Sequence, residues 1–189
     1  MNMTLTAALF VGGESRRMGT DKATLIHTEK PLWAWQLDTL RNLRPDKILI
    51  SARLRPIWAP MDIEVVLDES PSQGPLSGLV GVLKQTQTTH ILALAIDLPK
   101  MTTEHLRQIW NRAQAGIGVI PQWGNYYEPL VAIYPAAALS MASQSLIAGQ
   151  LSLQLLVETL VKQKKLCIYS VDAEERHLYL NVNSPEDMK

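Results

Sequence analysis

The sequence predicts an α/β fold of the doubly wound kind, with a mostly parallel sheet that has an antiparallel edge. Short apolar runs alternate with helical patterns over the first two-thirds of the 189 residues, the order that right-handed β-α-β crossovers require. The first run, residues 7–11, is apolar throughout and ends at Gly12-Gly13, as a central strand of such a sheet should. Two closely spaced runs, 118–121 and 130–134, indicate the mixed edge.

The elements follow from apolar spacing and from end signals. The predicted strands are 7–11, 47–51, 63–68, 90–96, 118–121, 130–134 and 166–171. Predicted helices cover 32–43, a stretch around 79–83, 103–113, 136–146, 151–162 and 185–188. Pro31 suits a first helical turn, where its missing N–H is not needed. Thr102 and Thr103, followed by Glu104, suit a helix start. Neither a repeat nor a low-complexity linker is evident.

Composition excludes several classes of protein. Lys plus Arg and Asp plus Glu are 18 each, so no global charge favours nucleic acid or a membrane surface. The opening segment lacks the order of a secretion signal, and no apolar run reaches the roughly 18 residues of a membrane span. The single cysteine, Cys167, excludes an internal disulfide and a multi-cysteine zinc site, and we expect a buried, inert thiol. A cytoplasmic location fits these features.

Three chemical features fall where predicted strands end. They are Gly12-Gly13, Asp68 and Asp97. Ligands of doubly wound sheets bind outside the carboxyl ends of the strands, so we expect the three to share one site. Arg16, Arg17 and Lys22 follow the glycines, and backbone N–H groups with such cations favour a polyphosphate. The spacing fits neither G-x-x-x-x-G-K-[ST] nor G-x-G-x-x-G.

Other side chains have a functional and a structural interpretation. Asp97 could hold Mg²⁺ together with phosphate oxygens, or cap a loop. Asn181 and Asn183 alternate on an extended segment and so share a face, whereas Ser184 reads as a helix cap. Glu128 could point its carboxylate into the same cleft. The turn aromatics Trp123, Tyr126 and Tyr127 could form a wall for a flat ring, or they could pack within the turn. The four histidines are scattered, and we interpret them as incidental: His27, His90, His105 and His177.

Together the motifs resemble those of molybdenum cofactor guanylyltransferases, the molybdopterin-guanine dinucleotide synthesis protein A family of single-domain nucleotidyltransferases. The first is Gly12-Gly13-x-Ser15-x-Arg17-Met18-Gly19-x-Asp21-Lys22. Then come Gly74-Pro75-Leu76-Ser77-Gly78, Asp97-Leu98-Pro99 and Asn181-Val182-Asn183-Ser184-Pro185-Glu186. The resemblance spans residues 9–187. It implies one Rossmann-like nucleotidyltransferase domain over 1–189, with a nucleotide half of about 1–100 and an acceptor half of about 101–189.

The resemblance also implies an activity: GMP passes from Mg·GTP to molybdenum-carrying molybdopterin, giving the guanine dinucleotide cofactor and pyrophosphate. Mg²⁺ is the implied cofactor, and transient contacts with molybdopterin-delivering proteins and molybdoenzyme chaperones are implied, with no nucleic acid or membrane partner. The residues implied to bind GTP are Phe10, Val11, Gly12, Gly13, Lys22, Asp68, Gly78 and Asp97. Arg17, Lys22 and Asp97 are the implied catalytic residues, Asp97 the metal ligand, and Asn181 and Asn183 the acceptor side.

Three alternatives remain open. A cytidylyltransferase of the same cofactor and a sugar-phosphate nucleotidyltransferase are enzymes of related pattern, and a non-catalytic nucleotide-binding protein could use the same fold. Gly13 favours guanine, since relatives that use CTP resemble A-A-G where this chain has Val11-Gly12-Gly13. The presence of both Lys22 and Asp97 favours an enzyme. The chain departs from the family at Phe10-Val11, where Leu-Ala is usual, and at Ser51, where asparagine is frequent.

Overall fold

A computed structural model of the protein describes residues 2–12, 21–68 and 72–182. The strands, in chain order, are β1 (Leu5–Phe10), β2 (Ile26–His27), β3 (Lys30–Pro31), β4 (Lys47–Ala52), β5 (Glu64–Leu67), β6 (His90–Ala95), β7 (Gly118–Trp123), β8 (Tyr126–Tyr127), β9 (Val131–Pro135) and β10 (Leu166–Ser170). The helices are α1 (Leu32–Leu43), α2 (Pro75–Gln85), α3 (Thr103–Trp110), α4 (Ala138–Ile147) and α5 (Leu153–Lys162).

Eight of these strands form one sheet, in the order β10-β7-β9-β6-β1-β4-β5 with β8 added to β7, and β2 and β3 form a separate hairpin. The strands β6, β1, β4 and β5 are parallel to one another; we call them the parallel half. In the mixed half, β7 to β10, β9 runs antiparallel to both β6 and β7, and β10 runs parallel to β7. The predicted mostly parallel sheet is confirmed, with the difference that the antiparallel strand β9 lies inside the sheet.

Helices cover both faces of the sheet because the central strands are apolar on both sides. All six residues of β1 and all six of β6 are buried. On one face Leu9 of β1 shares a core with α1 and α3. On the other face Ala8 shares a second core with α2, α4 and α5. Successive strand residues point to opposite faces, so β1 separates the two cores and its carboxyl end reaches the rim.

The helix ends agree with the sequence signals. The Thr102 side chain accepts a hydrogen bond from the His105 N–H and caps α3. The helix α2 begins at Pro75, after Gly74, whose φ of +81° lies in a region that favours glycine. The predicted helix at 185–188 lies outside the described residues. Among the described helices, none has the length and apolar character that crossing a bilayer demands.

Cys167 differs from its expectation. Its side chain is partly rather than fully buried, and its thiol lies 3.8 Å from the Arg112 carbonyl oxygen. Burial still raises the pKa of the thiol, which disfavours the reactive thiolate. The thiol is therefore accessible in part, although the expected lack of reactivity keeps a physical basis.

Candidate functional site

Three residues of the predicted nucleotide site meet at the carboxyl end of the parallel half. Phe10 pairs with Ser51 in the register of β1 and β4, and Asp68 follows β5 with its N–H donated to the Ala52 carbonyl. Gly78 of α2 packs against the side chains of Ser51, Asp68 and Phe10. An ideal Cβ on Gly78 would lie 2.6 Å from Ser51 Oγ, 3.2 Å from Asp68 Oδ1 and 3.3 Å from Phe10 Cε1. Only glycine fits there without displacing its neighbours, so the glycine brings the helix against the strand ends.

The backbone after β1 forms the floor of this site. The Val11 N–H donates to the Ser51 carbonyl at 2.9 Å, and the Phe10 carbonyl accepts from the Ile96 N–H at 3.0 Å. Gly12 is exposed, and among the described residues an ideal Cβ on it would have the Arg53 amide nitrogen as its near neighbour, at 3.9 Å. Gly13 and Arg17, two further predicted residues, lie outside the described residues.

Lys22 and Asp97 lie close together, although 75 positions separate their sequence numbers. Their Nζ and Oδ2 atoms are 3.8 Å apart, and the side chains are 22% and 25% exposed. Lys22 begins a 3-10 turn that Asp21 caps by accepting the Ala23 N–H. The other Asp21 oxygen accepts the Trp58 indole N–H at 2.8 Å. The turn that carries Lys22 is thus fixed at its start.

The loop that carries Asp97 is held from two sides. On one side, helix α1 donates two side-chain hydrogen bonds to it: Gln36 Nε2 to the Leu98 carbonyl at 2.6 Å and Trp35 Nε1 to the Pro99 carbonyl at 3.1 Å. On the other side, the Asp97 carbonyl accepts the Val182 N–H at 2.8 Å. The loop is therefore preorganised between α1 and the segment that carries Asn181.

Glu128 places a second carboxylate within electrostatic range of Asp97. Burial, followed by the negative charge of Asp97, raises the pKa of Glu128 to about 7, while a hydrogen bond from the Leu130 N–H opposes the rise. Burial also raises the pKa of Asp97, and the Lys22 ammonium opposes that rise. Two partly buried carboxylates with elevated pKa values favour a cation between or beside them. The hypothesis that Glu128 faces the same cleft therefore agrees with the electrostatics.

These carboxylates fit a hard divalent cation that is shared with a phosphate ligand. Within the described ranges, no three His, Cys, Asp or Glu side chains form a metal-binding group. Mg²⁺ commonly uses one or two carboxylates and completes its shell with water and substrate phosphates. Asp97 and Glu128 match that donor set, whereas a closed structural metal site does not.

The predicted acceptor residue Asn181 lies next to this centre. It is exposed and directly precedes Val182, whose N–H binds the Asp97 carbonyl. Asn183 lies outside the described residues. Of the turn aromatics, Trp123 packs against Tyr179 with ring centroids 5.1 Å apart, and Tyr126 is exposed.

Several residues with little signal in the sequence hold the elements that carry the site. Trp58 stacks on Trp33 with centroids 5.3 Å apart, besides its bond to Asp21. Contrary to the prediction that the histidines are incidental, His105 is buried and hydrogen-bonded to the Tyr179 hydroxyl. The position of Tyr179, two residues before Asn181, was the one available signal.

Comparison with models of known protein families shows which family the chain resembles in sequence. A family model described as the MobA-like NTP transferase domain matches residues 7–167. The chain belongs to this family. The protein is thus a nucleotidyltransferase by family, as the resemblance implied.

Two curated relatives extend over almost the whole chain. A protein of Opitutus terrae is 34% identical over 186 residues, covering 97% of this chain and 92% of its own, and is named a probable molybdenum cofactor guanylyltransferase. A protein of Chloroflexus aggregans with the same name is 29% identical and covers 100% of this chain and 94% of its own.

A solved structure agrees on the fold. Molybdopterin-guanine dinucleotide biosynthesis protein A from Archaeoglobus fulgidus superimposes with a TM-score of 0.74 over 97% of this chain and 94% of its own. At 22% identity, that similarity bears on the fold alone, and it confirms the predicted α/β fold with a mostly parallel sheet.

Proposed function

We propose that the protein transfers GMP from GTP to the terminal phosphate of molybdenum-carrying molybdopterin and releases pyrophosphate. One observation carries the proposal. The close contact of Gly78 with Phe10, Ser51 and Asp68 and the Lys22–Asp97 ion pair lie at the same rim of the sheet. The relative that is 34% identical over nearly the whole chain and is named a probable molybdenum cofactor guanylyltransferase supports this choice of substrates.

The reaction suits a site that has cations and carboxylates but needs no nucleophilic side chain. An oxygen of the acceptor phosphate attacks the α-phosphorus of GTP. The bond from that phosphorus to the bridging oxygen of the β-phosphate breaks, and the electron pair leaves with pyrophosphate. Because the attacking oxygen belongs to the substrate and is already anionic, catalysis depends on positioning and charge neutralisation.

The parallel half binds the nucleoside in this proposal. Phe10, Val11 and Gly12 line the base and the phosphate end, and Asp68 lies beside the guanosine. The Asp68 carboxylate is oriented by the Ser72 hydroxyl, which donates to Oδ2 at 2.6 Å. Its second oxygen, Oδ1, lies 3.2 Å from the position of an ideal Cβ on Gly78 and would accept hydrogen bonds from the nucleoside.

The phosphates bind near Lys22 and Asp97 in this proposal. The cations Lys22 and Arg17 would neutralise the triphosphate and the departing pyrophosphate, and the Gly13 N–H would bind a phosphate oxygen. Asp97 would hold Mg²⁺, with Glu128 as the second carboxylate. When bound, the ion would polarise the phosphate oxygens and offset their negative charge. Lys22 also lies close enough to Asp97 to favour the ionised carboxylate.

The acceptor approaches from the mixed half. Asn181, together with Asn183, would hold molybdopterin through amide hydrogen bonds, since each amide offers two donors and an acceptor. The Val182–Asp97 hydrogen bond keeps this segment beside the phosphates. Cytoplasmic operation, with transient contacts to molybdopterin-delivering proteins and molybdoenzyme chaperones, belongs to the same proposal.

A cytidylyltransferase is the second candidate, and one observation favours it. The Phe10 ring stands beside Gly78 and Ser51, where a bulky side chain narrows the base site and suits a smaller pyrimidine. Thermal-shift titrations with GTP, CTP and ATP, each with Mg²⁺, separate the candidates. We expect GTP to raise the melting temperature at the lowest concentration. A lower midpoint for CTP would reassign the base, and no shift with any nucleotide would refute nucleotidyl transfer.

A further inference from the structure

The Asn181 segment begins at a buried hydrogen bond between residues that do not belong to the proposed nucleotide site. Tyr179 ends a 3-10 turn, Arg176–Tyr179, that leads from β10 to the site. Its hydroxyl lies 2.6 Å from His105 Nε2. Tyr179 is 6% exposed and His105 is 3% exposed, so water does not compete for this bond. The turn is thereby tied to α3.

The same segment is fixed again three residues later, at the Val182–Asp97 hydrogen bond of 2.8 Å. Only Leu180 and Asn181 lie between the two anchors. Two or three residues span at most about 10 Å, so the path of the backbone at Asn181 is narrowly limited. The position of the Asn181 amide relative to Asp97 therefore depends on both anchors.

The surroundings of His105 specify how its ring is held. Glu175 Oε1 lies 3.5 Å from Nδ1 and accepts the Tyr169 hydroxyl at 2.6 Å. Gln108 and His177 also influence this ring, and burial, the largest effect, lowers the pKa of His105, which favours the neutral ring. A carboxylate beside Nδ1 favours the tautomer that is protonated there, which leaves Nε2 to accept from the Tyr179 hydroxyl.

We propose that His105 and Tyr179 are positioning residues for the acceptor substrate. Their hydrogen bond holds the Arg176–Tyr179 turn in one position against α3, whereas an apolar contact of the same shape would allow several positions. Buried polar networks whose members are satisfied impose such a unique arrangement. The inference rests on the proposed function, because it takes Asn181 to face the acceptor.

Steady-state kinetics test the pair with three variants: Tyr179→Phe, His105→Leu and the conservative His105→Gln. We expect the first two to raise the KM for molybdopterin about tenfold, the loss that one buried hydrogen bond predicts. The KM for GTP should stay within about twofold. Since glutamine can present a polar atom near the position of Nε2, His105→Gln should recover part of the affinity.

His90 offers a matched control. It is also fully buried and hydrogen-bonded, to the Gln114 carbonyl at 3.0 Å, but it lies at the amino end of β6, away from the site. His90→Leu should destabilise the fold without a selective change in either KM. Equal changes in both KM values, in the His105 and Tyr179 variants as in this control, would overturn the inference.

Hydrogen exchange at the Val182 amide tests the same link without turnover. We expect Tyr179→Phe and His105→Leu to accelerate this exchange about tenfold in substrate-free protein, beyond what their loss of global stability explains, whereas His90→Leu should accelerate it no more than its own loss of stability explains. Unaltered Val182 protection would overturn the inference. If the wild-type protein makes no dinucleotide from GTP and molybdopterin, the proposed function fails, and the exchange measurement still decides whether the pair fixes the segment.

Discussion

The two halves of the sheet build their parts of the site in different ways. In the parallel half, backbone and close packing shape the site, as at Gly78, where no larger residue fits between Phe10, Ser51 and Asp68. In the mixed half, buried polar groups such as Glu128 and the His105–Tyr179 pair shape it. Asp97 follows β6 (His90–Ala95), the strand on the boundary between the halves. A change in the parallel half should therefore act through shape, and one in the mixed half through charge and hydrogen bonding.

Asp97, at the boundary between the two halves, should be the residue whose substitution lowers turnover most. Asp97→Asn keeps the side-chain shape and removes the charge, so we expect turnover to fall by about 10² to 10³-fold, on the scale of losing one preorganised electrostatic contact. Pyrophosphate release measures the rate, and calorimetry with GTP should show weaker Mg²⁺ binding. Asp38→Asn, which removes a charge from an exposed ion pair with Lys30, is the control and should change neither. Full turnover of Asp97→Asn would remove this residue from the proposed mechanism.

Gly78→Ala tests the shape argument in the parallel half. The added methyl would contact Ser51, Asp68 and Phe10, and overpacking of this kind costs about 1–3 kcal/mol. We expect the KM for GTP to rise about tenfold or more, and the KM for the acceptor to change little.

Gly81→Ala is its partner on the same helix. There a Cβ would lie 3.2 Å from the Leu67 carbonyl oxygen and from Val66 Cγ1, away from Asp68. It should cost stability and leave the GTP KM unaltered. Equal KM values for GTP in Gly78→Ala and Gly81→Ala would contradict the claim that close packing at Gly78 shapes the nucleotide site.

Glu128→Gln tests the charge argument in the mixed half. The pKa of Glu128 is raised from an ordinary 4.5 to about 7, so the folded protein holds this proton more tightly than the unfolded chain. Stability from this group is therefore complete below about pH 4.5 and is lost as the pH rises to about 7, by about 3 kcal/mol. In metal-free protein, urea unfolding should show Glu128→Gln stabilised at pH 8 but not at pH 5. The same difference at both pH values would contradict a buried, titrating carboxylate.

Trp58→Phe should have the smallest effect. Phenylalanine keeps an aromatic ring against Trp33 but cannot donate to Asp21, an exposed bond of 2.8 Å. We expect a loss of about 1 kcal/mol or less and a GTP affinity only a few-fold weaker, read from chemical unfolding and nucleotide titration. Trp110→Phe, which alters an edge contact with His90 at 5.4 Å, serves as control. A large loss of GTP binding only in Trp58→Phe would mean that the Lys22 turn depends on this bond far more than its exposure suggests.

The fold was predictable to the extent that burial leaves a mark in the sequence. The runs that became β1, β4 and β6 are buried along most of their length, so their apolar stretches gave bounds within two residues. The β2–β3 hairpin has two residues in each strand, too few to show the alternation of apolar and polar residues that predicts a strand. Asp68 and Asp97 were predictable because topology brings strand ends together. The Trp58–Asp21 and His105–Tyr179 bonds join residues 37 and 74 apart, and no local pattern specifies such pairs.

Product formation tests the central claim most directly. The purified protein is incubated with Mg²⁺, molybdopterin-loaded acceptor protein and GTP, with CTP and ATP in parallel reactions. Pyrophosphate and the dinucleotide product are then measured. We predict equimolar pyrophosphate and guanine dinucleotide with GTP, and little product with the other two nucleotides. Absence of product with GTP, or faster formation of a cytosine dinucleotide, would contradict the proposed function.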